Sequence, residues 1–429
     1  MNFIRQPDES HAKEVISVVC HSNNAGPSFL SYLRNVKQVI TRTILVLSLV
    51  SLFTDISSEM LYPVMPVFLQ SIGFSTVLIG VLEGLAEAIA GLSKMYFGRL
   101  SDEAGKRMPF VRLGYLLSAV SKPMLSLFTF PVWIFTARTM DRFGKGVRTG
   151  ARDALLSDET MPENKGTVFG FHRAMDTAGA ALGPLAALIY LHFYPEDYKT
   201  LFLLAFVPAI LSVLLTFIIQ EKQQVTLPVT QRSSFAEKFF YWKKSPVAFR
   251  QLMIGLLFFA LINSSDVFLL LRAKEIAGDD SSVLLAYIFY NLVFALFAFP
   301  AGRLADTLGL KRVIITGLLL FGIVYSMMAF AESYVVVVFA FFLYGIYAAA
   351  TEGVAKAFIS NIVPKTATAS AIGFYAGWNS IFAFIASSLT GFIWYAVSPE
   401  AAFLASAAGS LLVAVYLLST KFYPATENA

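Results

Sequence analysis

Gly98-Arg99-Leu100-Ser101-Asp102-Glu103-Ala104-Gly105-Lys106-Arg107 and Gly302-Arg303-Leu304-Ala305-Asp306-Thr307-Leu308-Gly309-Leu310-Lys311-Arg312 are two copies of one pattern, the second beginning 204 residues after the first. Each copy separates two long apolar runs. The glycines Gly98, Gly105, Gly302 and Gly309 permit a tight turn where a helix ends. The basic residues, closing on Arg107 and Arg312, suit the cytosolic face of a membrane. Asp102 and Asp306 are placed to meet the positive end of a neighbouring helix. A charged turn repeated once at so long an interval, with matching flanks, predicts a chain written as two related halves.

Composition points the same way. Of the 429 residues, 57% are hydrophobic and only 14% charged, and mean hydropathy is +0.66. A water-soluble fold of this size has no place for so much apolar surface, so lipid must solvate it. The net charge of +5 does not indicate nucleic acid, because Lys and Arg lie in short loops between apolar runs and form no single patch. Cys20 is the only cysteine, which excludes a disulfide within the sequence.

Runs long enough to cross the hydrocarbon core fall near 41–69, 76–97, 111–130, 132–156, 167–190 and 200–220, and again near 248–271, 283–301, 313–330, 334–359, 367–395 and 401–420. The expected plan is a polar tail (1–38), a six-helix bundle (39–220), a linker (221–247), a second six-helix bundle (248–420) and a short tail (421–429). Counting basic residues in the loops orients it. Arg99, Lys106, Arg107, Lys165, Arg303, Lys311, Arg312 and Lys365 fall on one side, against little more than Lys199 and Lys274 on the other. Both termini are therefore expected in the cytosol.

The repeated loop resembles the hallmark loop of the major facilitator superfamily, found between helices 2 and 3 and again between helices 8 and 9. The resemblance covers nearly the whole chain after residue 40. It implies an all-α integral membrane fold of twelve spans in two pseudo-symmetric halves, multi-pass in a plasma (inner) membrane, with alternating access to a central cavity. It further implies that Asp102 pairs near the cytosolic start of the eleventh span and favours an outward-open state. Arg138, Gly144 and Gly146 match the family's fourth-helix motif, but Arg142, Lys145, Arg148 and Arg152 stand where that motif usually has small or apolar residues. Gly179-x-x-x-Gly183-Pro184 resembles the fifth-helix signature of the family's antiporters, without the further glycines of the fuller form.

Aligning the halves is most informative where they differ. At offsets of 203 and 204, Glu59 faces Asn263, Glu87 faces Asn291, His172 faces Tyr375 and Asp176 faces Asn379. Ionisable groups at membrane depth are costly unless they face a cavity or a partner, so the first half is expected to handle charge. Asp55, Glu59 and Tyr62 share one helical stripe, as do Glu83 and Glu87. With Arg138, and with His172 beside Asp176 as a possible relay, these carboxylates are the expected proton-coupling set. Tyr62, Arg142, Lys145, Arg148, Asn263, Asp266, Tyr287, Asn291, Tyr375, Trp378 and Asn379 are the expected substrate wall. Asp153 and Lys356 occupy matching positions, an expected bridge at the cytosolic gate whose double charge reversal should preserve transport.

Each of these groups also has a structural reading: buried cations and anions that satisfy one another, and aromatics that only pack. Proton-coupled antiport of a small organic solute or drug is the leading expectation. Symport of an organic anion, favoured by the basic fourth span, and lipid flipping remain open. No nucleotide loop, His-Glu-x-x-His or Gly-x-Ser-x-Gly motif occurs in the sequence, so neither an enzyme nor a cofactor or bound metal is expected. A channel is disfavoured by the two-fold layout. The expected partners are a small-molecule substrate, protons and the bilayer, with the chain acting as a monomer.

Overall fold

The structure is a computed structural model that describes residues 39–62, 64–221, 241–278 and 280–422. The expected tails before residue 39 and after 422, and the linker from 222 to 240, lie outside the described residues. Among the described residues the secondary structure is helical. The elements are α1 (Arg42–Leu61), α2 (Met65–Ser71), α3 (Thr76–Ala104), α4 (Met108–Leu127), α5 (Pro131–Asp158), α6 (Lys165–Phe193) and α7 (Tyr198–Thr216). After residue 240 come α8 (Val247–Ala260), α9 (Val267–Ala277), α10 (Asp280–Leu308), α11 (Leu310–Ala329), α12 (Tyr334–Ile362), α13 (Thr368–Ala396) and α14 (Pro399–Ser419).

Two expected spans are interrupted. The run 41–69 forms α1 and α2, with α2 restarting at Met65 and Pro66 in its first turn, where a missing N–H removes no helical bond. The run 248–271 forms α8 and α9, separated by Leu261-Ile262-Asn263-Ser264-Ser265-Asp266. Side chains of this kind bond to nearby groups in competition with the helix. Here the Ser265 N–H donates to Ser387 Oγ at 3.0 Å, and the Tyr344 hydroxyl donates to Asp266 at 2.6 Å.

Eight helices among the described residues are long and apolar enough to cross a membrane: α1, α6, α7 and α10 to α14. α3, α4 and α5 have the length, at 29, 20 and 28 residues, but α3 and α5 carry many charges. Those of α5 face inward. Arg138, Asp141, Arg148, Arg152 and Asp153 are all under a tenth exposed, so a helix that looks too polar for lipid hides its polar face in the bundle.

The packing repeats. α6 lies against α1, α5 against α3 and α4, and α7 against α1 and α4; likewise α13 lies against α8, α12 against α10 and α11, and α14 against α8 and α11. The two sets meet where α3 packs on α13 and α6 on α10. Both meetings are drawn tight by the repeated loops. Gly105 ends α3 in the left-handed region at φ 60°, its N–H bonded to the Asp102 carbonyl. The Asp102 carboxylate then accepts from the Ala369 and Ser370 amides, at 3.3 and 2.6 Å, capping α13. Asp306 does the same for α6, accepting from Gly166 and Thr167 at 2.7 and 2.6 Å. A side chain on Gly98 would start 2.5 Å from the Ala369 carbonyl oxygen, so only glycine lets the backbones approach. The end of the bundle that carries these loops, the loop end, is therefore closed.

Candidate functional site

Between the two sets of helices lies a cavity of about 450 Å³, lined by α1, α3, α5 and α6 on one side and by α8, α10, α11, α12 and α13 on the other. A second space of about 810 Å³ shares Glu59, Lys94, Asn263, Asp266, Tyr287, Asn379 and Ser380 with it and leads away from the loop end. Tyr62 and Phe384 line this wider part and are half or more exposed. The cavity is open at one end and shut at the other.

Helical spacing puts a charged network on its first wall. Arg152 Nη1 donates to Ser51 Oγ at 3.2 Å, Ser51 donates to Asp176 at 2.5 Å, and Arg173 donates to the other Asp176 oxygen at 2.5 Å. Arg173 also pairs with Glu352 on α12, which ties α6 to the opposite wall. Asp55 and Asp176 line the same part of the cavity, and two carboxyls sharing a site can hold a proton between them. Nearer the loop end, Asp153 is fully buried, bonded to Arg152 at 2.9 Å and to Lys356 of α12 at 2.8 Å. Glu352 and Lys356, neighbours on one helix turn, thus each reach across to the other wall.

The second wall is mostly neutral. Asn263 donates to the Tyr347 hydroxyl at 3.2 Å, Asn291 to the Tyr287 carbonyl at 3.0 Å, and Tyr290 and Tyr344 stand 5.0 Å apart. Tyr375 and Asn379 of α13 complete it. Polar groups and ring faces together suit a solute with both polar and apolar parts.

Of the carboxylates expected to couple protons, Asp55, Glu59 and Asp176 line the cavity. Glu87 sits at the wider part, half exposed, 3.9 Å from Lys94 and 4.0 Å from Arg142. The side chain of Glu83 lies outside the described ones. Four of the expected residues, His172, Trp378, Arg138 and Arg142, line neither space. His172 is buried, and among the described residues neither ring nitrogen has a hydrogen-bond partner; Asp176, which the i,i+4 spacing offers it, is engaged by Ser51 and Arg173. Trp378 lines neither space; it turns to Phe374 and Phe382, at 6.3 and 5.5 Å. Arg138 and Arg142 likewise stand behind the lining, not in it.

Lys122 escaped the sequence reading. It is 2% exposed on α4 and bonds Asp141 at 2.9 Å and Ser58 at 3.3 Å. Its signal was available: a lone cation in the middle of the apolar run 111–130. Ser51, which joins Arg152 to Asp176, carried no comparable signal.

Comparison with known proteins adds family and fold. The sequence profile of the Major Facilitator Superfamily matches residues 47–287 and 267–428. An uncharacterised MFS-type transporter of Methanocaldococcus jannaschii is 31% identical, over 88% of this chain and 95% of its own. A multi-drug resistance efflux pump PmrA homologue of Lactococcus lactis is 24% identical, over 79% of this chain and 84% of its own. Among solved structures, the transporter FucP in its outward conformation superposes with a TM-score of 0.74 at 12% identity, covering 89% of this chain and 99% of that one.

Proposed function

The chain belongs to the Major Facilitator Superfamily of membrane transporters, and on that premise we propose that it is a proton-coupled secondary transporter of a small organic solute, working by alternating access. One observation carries the reading. A cavity lined by carboxylates and cations lies between two similarly packed sets of helices, open at one end and shut at the other by capped helix ends. In this reading α1 with α2, and α8 with α9, each make one span, which brings the total to twelve in two halves of six joined by the linker at 221–247. The basic loop end faces the cytosol, as do both termini, in a plasma membrane. The structure is then an outward-open state, gated by Asp102, Asp306 and the Asp153–Lys356 bridge.

Asp55, Glu59 and Asp176 are the proton-handling groups. Asp55→Asn and Glu59→Gln are each expected to flatten the dependence of the conformational equilibrium on pH. Spin labels report this directly, with Cys20 replaced by serine and one cysteine pair at each end: Glu163 with Lys365 at the loop end, Val132 with Val335 at the other. In the parent protein one distance should lengthen as the other shortens when pH is changed. Distances that stay fixed, or that move together, would contradict alternating access. A full pH response in both variants would remove the coupling assignment.

Two senses of coupling are distinguished by specific observations. Exchange, exporting the solute, is supported by the relatives whose names are multi-drug resistance efflux pumps. Co-transport is supported by the cations of α5 at the cavity wall.

A further inference from the structure

The cavity's cations are not equivalent. Arg152 and Lys356 share Asp153, Arg173 has Asp176 at 2.5 Å, and Lys94 has Glu87 at 3.9 Å. Lys145 and Arg148, one turn apart on α5, make no direct ion pair among the described residues; Lys145 meets Asp55, Glu59 and Glu87 only at longer range. Among the described residues the Lys145 side chain makes no hydrogen bond or ion pair, and it is exposed to the cavity. Arg148 is 4% exposed, and its partners are neutral: Ser118 Oγ at 2.6 Å and the Tyr115 ring at 4.5 Å. A guanidinium buried without a directly bonded counter-charge is unfavourable, and the Lys145 ammonium beside it, bonded to no carboxylate, adds a second positive charge at the same wall. An oxyanion between them relieves both.

We infer that Lys145 and Arg148 receive the oxyanion group of an aromatic organic anion, whose planar part lies against Tyr287, Tyr290 and Tyr375 on the facing wall. The guanidinium offers a planar fork to such a group and the ammonium a point charge, while the tyrosines supply ring faces for stacking. The inference rests on the cavity being the transport site. It also fixes the sense of coupling. Lys145 is the cation that acts on both Asp55 and Glu59 of α1. Glu59 is further met by Arg142, by Asp176 of α6, by Lys122 of α4 and by Tyr287 of α10; Asp55 is met by Asp176 and Arg173 of α6 and by Glu59 on its own helix. An anion drawn to Lys145 withdraws its charge from these carboxyls and adds a negative neighbour. Anion and proton therefore favour each other's binding, reciprocally. A solute bound this way travels with its proton, as a symporter's does.

The test uses the purified full chain and four probes: 2-naphthoate, naphthalene-2-sulfonate, 2-naphthyl phosphate and the uncharged 2-naphthamide. Titration calorimetry in two buffers of different ionisation enthalpy gives affinity and proton uptake together. At least one anion should bind and take up protons, and the amide should bind at least tenfold more weakly. Lys145→Gln should weaken the anion at least tenfold, and Lys145→Arg should restore most of the loss. The inference is overturned by an amide that binds equally, by three anions that fail to bind, by an unchanged affinity in Lys145→Gln, or by proton release on binding. The spin-label distances keep the two levels apart: if they still exchange with pH while no anion binds, the transporter reading stands and the anion site falls.

Discussion

Asp102→Ala is expected to open the loop end. The carboxylate is 2% exposed and holds the Ala369 and Ser370 amides, the Ser370 hydroxyl and the Arg107 guanidinium, itself 1% exposed. Its loss uncaps α13 and leaves Arg107 buried with only Ser101 at 3.3 Å and Asp158 at 3.7 Å. Removing one partner of a buried pair costs about 3–5 kcal/mol, so the closed-to-open ratio should fall by about two to four orders of magnitude. The Glu163–Lys365 label pair would report it as a longer distance at equal pH. Asp306→Ala is expected to do much less. Asp306 accepts from two backbone amides, while Arg312 turns instead to the Leu308 carbonyl at 3.3 Å and stays at the surface. Equal effects from the two variants would refute the claim that the first loop is the main latch.

Lys356→Glu is the second large change. It sets a carboxylate against Asp153, which is fully buried and retains only Arg152. The loop end should open, and a cysteine placed at Ala355 in the cavity wall should become reactive to an impermeant thiol reagent added on that side. Lys356→Met should have a smaller effect of the same sign, because Arg152 still neutralises Asp153. Reversing both charges, which the sequence offers as the natural control, is not clean in this structure: Arg152 would then face a lysine at the position of Asp153. Unchanged labelling in Lys356→Glu would show that the bridge does not hold the gate.

The scaffold was legible because its signals are periodic. Apolar runs of spanning length, a loop copied at 204 residues and pairs such as Asp153 and Lys356 at offset 203 all survive in a single sequence. Which way a side chain turns was not. Trp378, Tyr375 and Asn379 follow one another along α13, a helix apolar around most of its circumference, so periodicity could not say which of the three faces the cavity. Spacing alone sets His172 beside Asp176, and it cannot show that Ser51, more than a hundred residues earlier, bonds one Asp176 oxygen while Arg173 holds the other. The charged fourth span was legible as a feature but not as a ledger of partners. That Lys145 and Arg148 are left over depends on which of the other cations reach carboxylates on α3, α6 and α12.

The six residues between α8 and α9 bear on how such a machine moves cheaply. A continuous helix resists bending, since each turn carries hydrogen bonds that must stretch or break. From Leu261 to Asp266 much of that cost is already met: Ser265 bonds a side chain of α13, and Asp266 is held by a tyrosine. In the proposed transport cycle this stretch is the place where the span would bend, with α8 and α9 as stiff rods on either side. A lever needs a fulcrum, and on the proposed cycle it would adjoin the wide mouth that Asn263 to Asp266 line, at the far end from the latch.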